Sequence, residues 1–466
     1  MLPLKTFKSL WLSILVTVMM AIGTPAPPDL LAGELKIATF NQEITPDIGV
    51  AVAYAPARKI ITPLFARGVV LLSDEKPVVL CAVDAIGIGN EGYDTWREKL
   101  AEAAQTSPER VAVHSLHQHD APRIDFATGK LLEEQGLGGK NYDNPYGYKI
   151  IEQVAQAVRK ALESPQTVTH LGIGKAKVEK VASNRRLLGA DGKVRLMRWS
   201  SSRSSDAINA PEGVIDPYLR SVCFWNQEQP LAVLSYYATH PQSYYGKGDV
   251  NYEFVGMARE ARNAALPGTL NVYFNGAAGN VAAGKYNTGA PELRPILARR
   301  VEQAMQQAFE NQKKVEVSAE DLHWETEMTA LPVSSHLKPD KLKAIIEDKS
   351  KTPKERASAA FHLTWYQRAK AGHKIPITCL HLKSVSILHL PGELFVEYQL
   401  KAQKWAPARE VCMAAYGDYG PGYICTEIAY SQGGYESSPG ASRVAPEVES
   451  VLDAVIEKLV QSAPGK

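Results

Sequence analysis

The chain has 466 residues, 45% of them hydrophobic and 22% charged, a make-up that suits a globular protein with a sizeable core and excludes a fibre or a disordered chain. Its 52 Lys and Arg stand against 50 Asp and Glu, so there is no concentrated basic balance and nucleic acid is set aside as a partner. Five cysteines, an odd number, are too few for a scaffold built on disulfides.

Residues 1–32 begin with the basic Lys5 and Lys8 and continue into the apolar run LWLSILVTVMMAIG from Leu10 to Gly23. That run is about 14 residues, short of the ~20 that a bilayer-spanning helix needs, so it reads as a signal peptide, with an uncleaved N-terminal anchor as the alternative. Residues 33–466 are then the exported body, in periplasm, at the cell surface or secreted.

From Glu34 onward strand and helix patterns alternate. Leu35–Phe40 is a predicted strand, and Gly68–Leu72 with Pro77–Val83 a predicted hairpin turning at SDEK. Apolar residues recur at helical spacing over Tyr93–Ala104, and a strand over Arg110–Leu116 runs into a histidine cluster. Asn144–Leu162 is a predicted helix, Leu231–Thr239 a buried strand and Tyr252–Ala265 a further helix. The stretch 319–374 is richer in Lys, Glu and Asp and reads as a helical insertion on the surface. Strand character returns over Leu380–Leu390, a Gly/Tyr-rich loop covers Tyr416–Ser442, and a helix closes the chain around Glu447–Val460. The expected class is α/β, with one large central mixed sheet flanked by helices. No internal repeat and no linker is legible, so residues 33–466 are expected to form one elaborated domain.

Four segments carry candidate chemistry. In HSLHQHDAP, His114, His117 and His119 place three of the chain's 11 histidines within six positions at a strand end. In extended backbone His117 and His119 share a face, so both can serve one site as zinc ligands or proton carriers. In YYATHPQSYY, His240 ends a strand that Pro241 stops, and strand ends of α/β sheets are where ligand sites collect. In ILHLPGELFVEY, Glu393 follows a Pro-Gly turn at the start of a predicted helix, where it serves either the helix dipole or a metal. YICTEIAYSQGGYES presents Tyr423, Tyr430 and Tyr435 in a loop, the mark of a binding surface. Cys412 and Cys425 flank this loop, and the spacing leaves a bridge between them open. Cys81, in a strand-like run, reads as a buried inert thiol.

In their order and local patterns these segments resemble the neutral (non-lysosomal) ceramidases. HSLHQHDAP is similar to that family's H-T-H-S-G-P, HPQS to its HPTS, and LPGE matches its LPGE. Tyr423 and Tyr435 keep the family's interval of twelve between two tyrosines, and Asn184-Arg185 in VASNRRL resembles its arginine motif. The likeness runs from about Asp47 to Ser442. It implies one zinc ion held by His117, His240, Glu393 and Tyr423, with His119, Arg185 and Tyr435 on the substrate side. It further implies attack of a zinc hydroxide on the amide carbonyl of ceramide, another N-acyl lipid or a smaller amide, with peripheral contact at a membrane where the substrate is a lipid. Two departures stand out. The family's G-D-V-S is Gly279-Asn280-Val281-Ala282 here, so an aspartate and a serine are replaced. No segment is left for the family's C-terminal immunoglobulin-like domain. A zinc esterase or lactonase, and a catalytically silent zinc-retaining binding protein, stay open beside the amidase.

Overall fold

The computed structural model describes residues 33–463, and the expected signal segment lies outside them. Among the described residues one order of elements occurs three times. In the first unit β1 (Lys36–Glu43), β2 (Phe65–Leu72) and β3 (Val78–Val83) form an antiparallel meander. Helix α1 (Glu91–Ala104) then leads to β4 (Val111–Ser115), parallel to β3, and α2 (Asn144–Ala161) follows.

The second unit repeats this with β5 (His170–Lys177), β6 (Tyr218–Asn226), β7 (Gln229–Tyr237), α3 (Glu253–Ala265), β8 (Leu270–Asn275) and α4 (Leu293–Glu310). The third starts at β9 (Leu322–Thr329), inserts α5 (Pro353–Lys370), and resumes with β10 (Ile375–Leu382), β11 (Val385–His389), α6 (Val396–Trp405), β12 (Glu410–Ala414) and α7 (Val448–Gln461). In every unit the fourth strand is the parallel one and is reached through a helix, because a parallel neighbour needs a long crossover where antiparallel strands need only a turn. The two helices of each unit pack on each other.

The sheets are buried on both faces, which explains why strands such as VVLCAV are apolar throughout and do not alternate. In the first unit Val69, Leu71, Leu80 and Ala82 face a central core shared by all three units, while Val70, Val79, Cys81 and Val83 face α1 and α2. This period of two is invisible in the residue types.

The mixed α/β class is as expected, but the sheet material falls into sheets of five, five and four strands where one central sheet was expected. Each meander is closed by its own crossover, so backbone pairing within a sheet ends with the fourth strand. The repeat that the sequence hides is likewise one of element order, with no shared residue pattern. Within 319–374 the expected helical character is present at Pro339–Glu347 and in α5, but Leu322–Thr329 is strand β9. Nor does α5 lie on the surface: Phe361 and Trp365 are buried and the Thr364 hydroxyl is 2.7 Å from that of Thr128. The expected single strand over Leu380–Leu390 is the pair β10 and β11, turning at Lys383 with φ of 48°. All five cysteines are free and buried, Cys412 and Cys425 included, and burial pushes the Cys412 thiol up to about 12.

Candidate metal centre

The three sheets meet at the ends of their fourth strands. The Ser115 amide, at the end of β4, donates to the Tyr416 carbonyl just past β12 at 3.0 Å, and the Ala415 amide donates to the carbonyl of Asn275, at the end of β8, at 2.9 Å. Loops leaving β4, β7 and β11 therefore converge, and each unit delivers one candidate ligand: His117, His240 and Glu393.

His117 is not in extended backbone as expected. The chain turns after Ser115, giving His117 a φ of 67°, rare for a residue with a Cβ, held by its amide donating to the Ala85 carbonyl at 2.8 Å. The histidines of the motif still meet, with His119 Nε2 3.1 Å from His117 Nε2. His114 does not join them: its Nδ1 is 2.8 Å from the Ala415 carbonyl, and burial lowers its pKa to about 4.

At Gly392, with φ of 64°, a Cβ would stand 2.6 Å from the Gly422 carbonyl, so only glycine lets this turn approach the tyrosine loop. Beyond it Glu393–Leu394 pairs in parallel with Tyr423–Ile424, which sets Tyr423 opposite Glu393. The helix expected at Glu393 begins later, at Val396. Its first amide donates to Asn280 Oδ1 at 2.9 Å and Asn280 Nδ2 donates to Glu397 at 2.8 Å, so the residue at the replaced aspartate position caps α6. Ala282 pairs with Ser183, whose hydroxyl donates to the Ala282 carbonyl at 2.9 Å. This bridge carries Arg185 to the site, where its Nη1 donates to the Tyr423 hydroxyl at 3.1 Å.

The hydrogen bonds around His117, His240 and Glu393 define what the group can hold. His117 Nδ1 is 2.6 Å from the Ile86 carbonyl and His240 Nδ1 is 2.6 Å from the Ala278 carbonyl, so in each ring Nδ1–H is the donor. A neutral imidazole then presents a bare lone pair at Nε2. Both Nε2 atoms point at Glu393 Oε2, at 3.2 Å and 3.0 Å, and the Tyr423 hydroxyl is 3.4 Å from that of His240. Three acceptors this close repel one another unless positive charge sits among them, and the carbonyl-anchored ring is the arrangement seen around metal-ligating histidines. The donor set of two nitrogens and a carboxylate, within 4.8 Å of one another, fits a divalent cation.

Around this group lie residues that the sequence did not single out. The Tyr419 hydroxyl donates to Glu393 Oε1 at 2.7 Å. Asp418 fixes that tyrosine's loop by accepting from the Gly420 amide at 2.8 Å and from Arg368 of α5 at 3.0 Å. The Tyr54 hydroxyl is 2.9 Å from His119 Nδ1, Gln242 bonds His119 Nε2, and the Tyr245 ring lies 4.7 Å from the His119 ring. Tyr54 and Tyr245 carried no signal, whereas Tyr419 sits in the tyrosine-rich loop already marked as a binding surface. Tyr435 does not reach the ligands. It is 42% exposed, with its ring 5.5 Å from that of Tyr423 and 5.3 Å from Trp199, so it belongs to the rim.

Neither known family models nor curated protein sequences match the chain. Solved structures do. The neutral ceramidase from Pseudomonas aeruginosa aligns with a TM-score of 0.66 at 14% identity, over 93% of this chain and 76% of that one. A ceramidase complexed with C2 aligns at 0.65 and 14% identity, over 92% and 75%. The chain has the neutral ceramidase fold. At such identity the likeness is one of fold, and the neutral ceramidase fold is what brings the four sequence segments together here.

One consequence concerns Tyr419. Its hydroxyl orients one carboxylate oxygen of Glu393 and so leaves the other facing the two imidazoles, where a cation could be held. Tyr419→Phe is expected to weaken metal affinity by about 10- to 100-fold, the usual cost of losing such a partner, with little change in melting temperature of the metal-free protein. Chelator competition against the wild type measures this.

Proposed function

We propose that this chain is an exported, zinc-dependent amidohydrolase that cleaves the N-acyl bond of ceramide or a related N-acyl compound. The observation that carries the proposal is the convergence of two imidazole Nε2 atoms on one carboxylate oxygen, with each ring's Nδ1 already bonded to a backbone carbonyl. The fold likeness to structures named as ceramidases supports the amide as the bond cleaved. His117, His240 and Glu393, with Tyr423, are the residues to hold zinc. A zinc ion held by these residues would supply Lewis acidity, taking the pKa of a water from about 15.7 to about 7 and polarising a carbonyl.

His119 is the residue to move the proton. Burial first, then the neighbouring His117 and His240, hold its pKa well below 6.5, so it stands neutral at physiological pH and able to accept. The Tyr54 hydroxyl at its Nδ1 fixes the ring, and Nε2 faces the ligand group. The proton taken from water is passed to the leaving nitrogen as the C–N bond breaks. Arg185, which donates to the Tyr423 hydroxyl beside the ligands, is the residue to bind the carbonyl oxygen as charge develops on it. A covalent serine route is closed at Ala282, and the Ser183 hydroxyl is taken up by the Ala282 carbonyl and the Lys285 amide.

Turnover of a fluorescent N-acyl sphingosine by purified, zinc-loaded protein tests the reading. Release of fatty acid that stops on chelation supports it. Cleavage of esters alone moves the chain to the esterase class, and absence of any hydrolysis leaves it a zinc-binding protein. Because the ligands come from three separate units, chelation is also expected to lower the melting temperature. At free zinc a hundredfold above Kd the bound ion contributes about 2.7 kcal/mol, or about 3 °C for a chain of this size. Calorimetry with and without chelator reads this directly.

A further inference from the structure

Several guanidinium groups near the site keep a nitrogen with no acceptor. Glu436, fully buried, is shared between Arg185 at 3.3 Å and Arg186 at 3.1 Å, and it is misaligned with Arg185 Nε, which has no hydrogen-bond acceptor. Arg443 is buried against the Phe361 ring at 4.1 Å, gives one hydrogen bond to the Gly420 carbonyl at 3.3 Å, and leaves its Nε without an acceptor. Arg123, four residues past His119 and partly exposed, also has an unpartnered buried Nε. Its guanidinium is hydrogen-bonded to the Tyr142 side chain and lies near the phenols of Tyr419 and Tyr54. Those phenols are neutral, since burial pushes all three up.

Among the described residues neither Arg123 nor Arg443 has a carboxylate within ion-pair distance. Asp418, the other buried acid of the tyrosine loop, is already taken by Arg368. Arg185 and Arg186 thus share Glu436, while the guanidinium groups of Arg123 and Arg443 have no carboxylate of their own. Uncompensated buried charge is costly, and a protein that keeps it has a use for it. A neutral lipid amide offers no counter-charge. A carboxylate does, and a guanidinium fork matches it with two parallel hydrogen bonds.

We propose that the amine half of the substrate carries a carboxylate held by Arg123, so that the compound cleaved is an N-acylated amino acid. This rests on the amidohydrolase reading and narrows its substrate class. In the reaction water adds to the amide carbon, the C–N bond breaks, and the nitrogen takes the proton that the water gave up. A fatty acid and a free amino acid are the products, with no other reactant needed.

The test compares two amides of one acyl chain on the zinc-loaded full chain: N-lauroylglycine, and its neutral counterpart N-lauroylethanolamine. The expected result is a kcat/KM at least about tenfold higher for the glycine compound, a ratio that Arg123→Gln brings close to one with little change in melting temperature. Equal or better turnover of the neutral amide overturns this proposal while leaving the amidohydrolase reading intact. So does an Arg123→Gln variant whose losses on the two amides are equal. If neither amide is cleaved, the amidohydrolase reading rests on the N-acyl sphingosine assay alone, and titration of N-lauroylglycine onto the metal-free chain decides the anion subsite. Saturable binding weakened about tenfold in Arg123→Gln supports the anion subsite, and no binding overturns it.

Discussion

Glu393→Gln is expected to leave a folded protein that retains no zinc and loses kcat/KM by about a thousandfold or more, the several kcal/mol that a metal contributes to charge stabilisation. The substitution changes one oxygen to an amide nitrogen and little else in shape. In place of the carboxylate oxygen facing two imidazole lone pairs at 3.0 and 3.2 Å it can present an N–H donor. The repulsion that a cation relieves is then relieved internally, by N–H donation to one of the Nε2 atoms, and the drive to bind metal goes with it. Metal analysis of the purified variant beside its activity checks both halves. Retained zinc with lost activity contradicts the ligand assignment.

His119→Ala is expected to behave differently. Its ring lies 4.7 Å from that of His117 and its Nε2 is 3.1 Å from His117 Nε2, yet its other nitrogen is held by Tyr54 and not by a backbone carbonyl. A proton carrier contributes about 10²- to 10⁴-fold to the rate. The variant should therefore lose that much in kcat while keeping zinc and, within a factor of a few, KM. Loss of zinc in His119→Ala makes it a fourth ligand and assigns the proton transfer elsewhere, with Tyr54 and Gln242 the nearest groups.

The residues that meet at the centre were legible because each sits at a strand end or beside a Pro or Gly that stops the chain. His240 before Pro241 and Glu393 after Pro391-Gly392 are of this kind, and the turn residues are as informative as the ligands. His117 was found on an argument about extended backbone that the structure does not support, since its φ is 67°. It was the concentration of histidines that carried the signal. Tyr419 and Tyr54 were missed because their roles depend on contacts across 26 and 65 positions of chain, which no local pattern records. The three sheets were read as one for a related reason. Strands buried on both faces lose the alternation that marks a sheet's inner and outer sides, and one sheet's Val-rich strand then looks like another's. Burial of α5 escaped notice because its charged residues look outward in sequence, while Arg368 in fact turns inward to Asp418 and Asp94.

X-ray absorption at the zinc edge of the purified full-length protein is the most direct test of the shared-ion geometry. One zinc per chain is expected, with two imidazole nitrogens at about 2.0–2.1 Å and oxygen donors at about 2.0–2.2 Å. A protein that takes up no zinc, or one whose zinc shell contains sulfur or fewer than two imidazoles, contradicts it.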